Sequence, residues 1–187
     1  LSLYQRFEEM KTAAVRFAQK KVPPELWKRS GQWRSLSTFI SESSMSDIIR
    51  GLQKALPSNV EISRNSYELE RHGRGESFHP TKRPDAVISP TSVDEIVTIV
   101  NYCTEHKIPV VPFGAGTSVE GHVCCLEGGI SLDMAKFNNI EIPDMENEAL
   151  PDPIAVVGAG VTRNTLNDAL RHTGMHFVVR EEINCRK

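Results

Sequence analysis

From Pro84 to His122 the chain reads as a strand, a capped helix and a second strand in direct succession, and the second strand runs straight into a glycine-rich loop. Pro84-Asp85-Ala86-Val87-Ile88-Ser89-Pro90 is an apolar stretch bracketed by prolines, and Ser92 with Glu95 makes a capping box. Ile96, Val97, Ile99, Val100 and Cys103 line one side of a helix that ends near His106, and Ile108 to Val111 is the next strand. Such a βαβ unit requires its two strands to lie parallel in one sheet, because the helical crossover returns the chain in the same direction. The loop then leaves the C-terminal end of the second strand, the edge at which such sheets present ligands.

The loop, Pro-Val-Val-Pro-Phe-Gly-Ala-Gly-Thr-Ser-Val-Glu-Gly-His over residues 109–122, carries glycines at Gly114, Gly116 and Gly121 and hydroxyls at Thr117 and Ser118. Glycines let main-chain amides approach an anion without a Cβ in the way, and hydroxyls add donors, so the pattern suits a phosphate. It is not a P-loop, because no lysine lies between Lys107 and Lys136. It is not a Rossmann fingerprint either, since the spacing after Gly116 is wrong and the sequel reads as another strand, Ile130 to Leu132, rather than a helix. A pyrophosphate here is held by loop amides and not by a helix dipole.

The chain has 187 residues, enough for one ordinary domain or part of a larger protein. Its 22 basic and 24 acidic residues nearly cancel, which leaves no electrostatic footprint for nucleic acid. No apolar run approaches the roughly 20 residues that span a bilayer, so no transmembrane segment is expected. The four cysteines, Cys103, Cys124, Cys125 and Cys185, show neither C-x-x-C pairing nor zinc spacing, so free thiols and no metal site are expected. Adjacent Cys124 and Cys125 read as one thiol packed inward and one outward at the start of a strand.

Residues 1–44 read as leader or linker: basic, serine-containing, and compatible with a mitochondrial targeting segment or with a solvated amphipathic helix from Leu3 to about Lys20. Met45, Ile48, Ile49, Leu52 and Leu56 recur at helical spacing until Pro57, and Val60 to Ile62 is a short strand. Arg71 to Ser77 is loop-like and polar, and His72, His79 and His122 read as solvated or hydrogen-bonded loop histidines. From Gly129 short strands alternate with turns: Ile130 to Leu132, Ile140 to Ile142 and Ile154 to Val157, with 143–153 as a hairpin loop. Gly158, Ala159 and Gly160 lead to Thr162 as an N-cap, a helix through Leu166 and Leu170 ends at Gly174, and Met175 to Val179 is another strand.

Pro84-Asp85-Ala86-Val87, the stretch from Ile108 to His122, Gly128-Gly129-Ile130 and Val157-Gly-Ala-Gly-Val-Thr162, taken in this order, resemble the FAD-binding domain of the vanillyl-alcohol oxidase / p-cresol methylhydroxylase superfamily (the PCMH type). Arg71-His72-Gly73, Glu76-Ser77 with His79, and the Leu166 to Leu170 helix resemble its mitochondrial-type D-lactate dehydrogenase branch. The resemblance covers about residues 45–179. It implies an α+β fold of two subdomains with FAD between them, the first (45–125) with a small parallel sheet and the second (126–179) antiparallel.

It also implies that Pro112, Phe113, Gly114, Ala115, Gly116, Thr117 and Ser118 cradle the FAD pyrophosphate, with Gly121 just beyond. Gly160 is a further cofactor-binding candidate, although a strand-to-helix turn accounts for Gly158 and Gly160 without any ligand. The implied reaction is FAD-dependent oxidation of D-lactate or a related D-2-hydroxy acid to the 2-oxo acid, with electrons passing to an acceptor such as cytochrome c. The implied location is mitochondrial, otherwise cytoplasmic. Alternatives are an alkylglycerone-phosphate synthase-like flavoenzyme and an inactive flavin-binding fragment. Residues 180–187 have no match in the family's pattern, so the expectation is a second subdomain cut short, by truncation or an incomplete gene model, with no catalytic residue in this chain.

Overall fold

In a computed structural model, residues 42–76, 78–142 and 154–178 are described. The chain divides into two compact units, and all described residues except Ile154 belong to the one formed by Leu36–Ile142 and Ala155–Lys187. The expected leader helix, the 143–153 hairpin loop and the 180–187 tail lie outside the described residues.

Helix α1 (Glu42–Ala55) carries the apolar spacing expected of it, and Met45, Ile48, Ile49, Leu52 and Leu56 are all buried. After β1 (Glu61–Ser63) comes a helix for which no apolar stripe prepares the reader, α2 (Ser66–His72). Its cause is a cap: the Asn65 side chain accepts the Tyr67 N–H at 2.9 Å, in extended backbone geometry. Residues Arg71 and His72, expected in a loop, therefore form the last turn of a helix.

Strand β2 (Ala86–Ser89), helix α3 (Val93–Glu105) and strand β3 (Val110–Phe113) form the βαβ unit. The Ser92–Glu95 capping box is made in full, and the Glu95 carboxylate also accepts the Thr91 N–H at 2.6 Å. That backbone donor holds the Glu95 carboxyl below the usual carboxylate range.

The two parallel strands are not neighbours. Strand β4 (Ile130–Asp133) lies between them, parallel to both, and the sheet runs β1-β2-β4-β3 with β1 antiparallel at its edge. The expectation that residues from Gly129 onward start an antiparallel portion is thus corrected for this strand. Its sequence, Ile-Ser-Leu-Asp, alternates apolar and polar residues as a half-exposed antiparallel strand does, although Ser131 is buried here.

Ala86, Ile88, Ile130 and Leu132 face α1 and α3 in one core with Ile99, Cys103 and Ile108. The alternate positions Val87 and Ser131 are buried on the other face.

Strands β5 (Ile140–Glu141) and β6 (Val156–Val157) pair antiparallel in a separate two-stranded sheet, followed by α4 (Arg163–Leu170) with Thr162 as N-cap. The segment expected as a strand after Gly174 forms none over its described residues, 175–178. Phe177 instead exchanges hydrogen bonds with the Asn167 side chain, and Phe177 and Val178 stay exposed, because no strand among the described residues offers them a partner. The architecture is α+β. Among the described residues no helix is long and apolar enough to cross a membrane.

Candidate functional site

Register places the C-terminal ends of β3 and β4 side by side, with Phe113 opposite Asp133. His72, at the end of α2, fits beneath them with no solvent exposure. Its Nδ1 lies 2.8 Å from the Glu68 carbonyl oxygen, its Nε2 3.2 Å from Asp133 Oδ2, and its ring centroid 4.2 Å from that of Phe113. Burial pushes the Asp133 carboxyl up, but the His72 hydrogen bond, the Ala135 N–H and the nearby Arg71 charge outweigh it and leave the group below its usual range. The sequence reading of His72 as a loop histidine missed this brace, whose only sign was a histidine four residues after Glu68 and seven after the capping Asn65.

The glycine loop rises from this anchor. Phe113 is 2% exposed, and Gly116, with a φ of 73°, folds back over its ring so that a Cβ at Gly116 would sit 2.7 Å from it. Gly114 is different. Its φ is not in the left-handed region, and a Cβ there would meet nothing nearer than the Ala159 carbonyl oxygen at 4.0 Å. Nothing in the fold of the described residues calls for a glycine at this position.

The amides tell the same story. Among the described residues, none of the N–H groups of Gly114, Ala115, Gly116, Thr117 and Ser118 donates to a backbone carbonyl. Gly114 and Ala115 are exposed, and Gly116, Thr117 and Ser118 are half-buried. A run of N–H groups without backbone acceptors, beside a space that a side chain would fill, has the chemistry to take an anion, and a diphosphate of FAD fits that donor set.

The other expected site residues differ in what they offer. Phe113, Ala115 and Gly116 line a cavity of about 820 Å³, whereas Pro112, Gly114, Thr117, Ser118, Gly121 and Gly160 are not among its walls. Pro112 is exposed at the end of β3, and Gly121 lies under the His79 ring. The Ser118 hydroxyl is 3.2 Å from His122 Nδ1 and accepts the Glu120 N–H. Gly160 donates its N–H to the Phe137 carbonyl, and a Cβ there would lie 2.2 Å from the Met134 carbonyl oxygen, so close packing within the chain accounts for this glycine.

Cys103, Cys124 and Cys125 are free and buried. Both members of the adjacent pair point inward, against the expectation of one in and one out, because they lie in a turn pinned by the Cys125 N–H to the Lys82 carbonyl rather than in a strand. Burial pushes the Cys103 and Cys125 thiols up to about 11.

A family model described as an FAD binding domain matches residues 84–181, more than half of the chain and all of the glycine loop. Among curated relatives, a probable mitochondrial D-lactate dehydrogenase of Danio rerio is 39% identical over 118 residues, which cover 63% of this chain and 23% of that one. A mitochondrial D-lactate dehydrogenase [cytochrome] of Arabidopsis thaliana is 34% identical over 108 residues, 57% of this chain and 18% of that one. The chain thus spans about a quarter or less of the length of these relatives. Among solved structures, substrate-bound p-cresol methylhydroxylase superposes with a TM-score of 0.60 over 78% of this chain and 29% of that one, at 20% identity, which is a likeness of fold. Because the matched domain takes in more than half of the chain and the whole glycine loop, the chain belongs to the FAD binding domain family, with a fold like that of p-cresol methylhydroxylase.

Proposed function

We propose that residues 112–118 bind the diphosphate of FAD through their own amides, and that the protein oxidises D-lactate or a related D-2-hydroxy acid to the 2-oxo acid. The observation that carries the first part is Gly114: its missing side chain leaves open space next to uncommitted N–H groups, and no contact within the described chain explains it. The relatives' names support the second part.

In this reading each residue of the site has a distinct task. Gly114, Ala115 and Gly116 present donors, Thr117 and Ser118 add hydroxyls, and Phe113 holds the loop's base against His72. Pro112 lies in β3 opposite Leu132, one residue before the strand ends, and Gly121 closes the loop under His79. Gly160 shapes the turn whose Ala159 carbonyl faces Gly114. The four-stranded sheet with α1, α2 and α3 forms the first subdomain, and β5, β6 and α4 begin the second, so that β4 belongs with the first. FAD, when bound, supplies the hydride acceptor for the hydroxyl-bearing carbon of the substrate. The residues described here bind and orient its phosphate end, and we assign none of them to proton removal.

An acceptor of cytochrome type and a mitochondrial location follow the names of the relatives and are part of the proposal. The test uses a full-length protein containing this chain. Its flavin absorbance bleaches with D-lactate and not with L-lactate; no bleaching with any 2-hydroxy acid overturns the dehydrogenase reading and leaves the synthase alternative standing.

A further inference from the structure

A diphosphate is a dianion, and residues 108–135, which hold the whole glycine loop, contain no lysine or arginine. Amide dipoles alone would have to meet that charge unless another segment brings a cation. We propose that Arg74 is that cation, a phosphate-binding residue outside the glycine loop; the proposal rests on the reading of residues 112–118 as the FAD diphosphate site.

The geometry supports it in three ways. The segment carrying Arg74 is pinned to the loop: the Glu76 N–H donates to the Ser118 carbonyl at 3.2 Å, and a Cβ at Gly75 would lie 2.8 Å from the same oxygen. Gly75 thus lets residue 74 come alongside the loop. Arg74 also lines the cavity of about 820 Å³ together with Ala115 and Gly116, so it shares one space with two residues of the glycine loop.

The third support is that Arg74 is uncommitted. Arg50 pairs with Asp47, Arg71 with Glu68, Arg83 with Glu70 and Arg171 with Asp168, while Arg64 and Arg163 donate to Ser46 and Asn164. Among the described residues Arg74 has no such partner. On the cavity wall, Glu70 is neutralised by Arg83, and Arg71 is held by Glu68 and sits 6.0 Å over the Phe113 ring. Glu76 is the remaining carboxylate there, and Arg74 the remaining cation. A planar guanidinium matches phosphate oxygens two at a time, which a lysine does not.

The test titrates the full chain with FAD, with ADP and with riboflavin, which lacks phosphate, at several salt concentrations. Arg74→Met weakens FAD and ADP by about tenfold or more, flattens the salt dependence of both, and leaves riboflavin and the thermal midpoint unchanged. Arg74→Lys keeps the salt dependence and recovers part of the affinity. Equal FAD affinity in Arg74→Met, or a loss with the salt dependence intact, overturns the role of Arg74 while the loop assignment stands. Failure of the unmodified chain to bind either FAD or ADP is a separate outcome, which overturns the loop assignment and this inference with it.

Discussion

His72 has no solvent contact, and both of its ring nitrogens face acceptors, the Glu68 carbonyl and the Asp133 carboxylate. The titratable group of the contact is the Asp133 carboxyl, which the His72 ring reaches from another element and helps to hold below its usual range. The free energy of this pair is tied to pH through Asp133. Its folded pKa lies below the ordinary value of 3.8, so the stabilisation is fully present above that value and is lost as pH falls through the folded one. Asp133→Asn removes the charge but keeps a side-chain acceptor. We expect it to lower stability at neutral pH by about 1–3 kcal/mol and to remove part of the acid-side slope, as read by denaturant melts at pH 7 and pH 3. An unchanged melt at both pH values would show that the brace contributes nothing.

At this scale the sequence was legible where spacing alone dictates chemistry. Gly114, Gly116, Thr117 and Ser118 stand out by spacing as the pattern of an anion loop, the role proposed for them above. Asp133 and His72 do not, because they are 61 residues apart and only the parallel register of β3 and β4 brings Asp133 beside Phe113 and His72.

Among the elements, α1 and α3 were readable because each has an apolar stripe with a clear stop or cap. Helix α2 has no stripe to read, only Leu69 among polar residues, so its existence rests on the Asn65 cap and on the docking of His72. That dependence is testable. Asn65→Ala removes the acceptor for the Tyr67 N–H, and we expect about 1 kcal/mol of destabilisation together with faster amide exchange confined to residues 66–72. Uniform protection across the variant would mean that tertiary packing, and not the cap, sets the helix.

Strand β4 shows the converse limit. Its existence was evident from Ile130 to Leu132, but its place between β2 and β3 was not, because the alternation Ile-Ser-Leu-Asp is what an antiparallel strand with one polar face would show. The Met175 to Val179 stretch failed as a strand for a related reason: β-favourable residues without a partner strand do not make a ladder.

On the scale of the molecule, the parallel strands β2, β4 and β3 end at one edge, and there β3 runs into the glycine loop, whose residues 114–118 donate no N–H to a backbone carbonyl among the described residues. The first sheet, with helices α1 and α3 on one face and α2 on the other, is the rigid platform. The loop's base is fixed by Phe113, and Gly158 and Gly160 pack on the Phe137 and Met134 carbonyls so that Ala159 stands opposite Gly114. The whole-molecule account therefore makes one glycine dispensable for folding and needed for the cofactor. A direct measurement compares the FAD affinity of the full chain with that of Gly114→Ala, alongside their thermal midpoints. The account predicts a midpoint that is unchanged or slightly higher, by a stabilisation of up to about 1 kcal/mol, with FAD affinity reduced tenfold or more. Gly114→Ala binding FAD as tightly as the unmodified chain would contradict it.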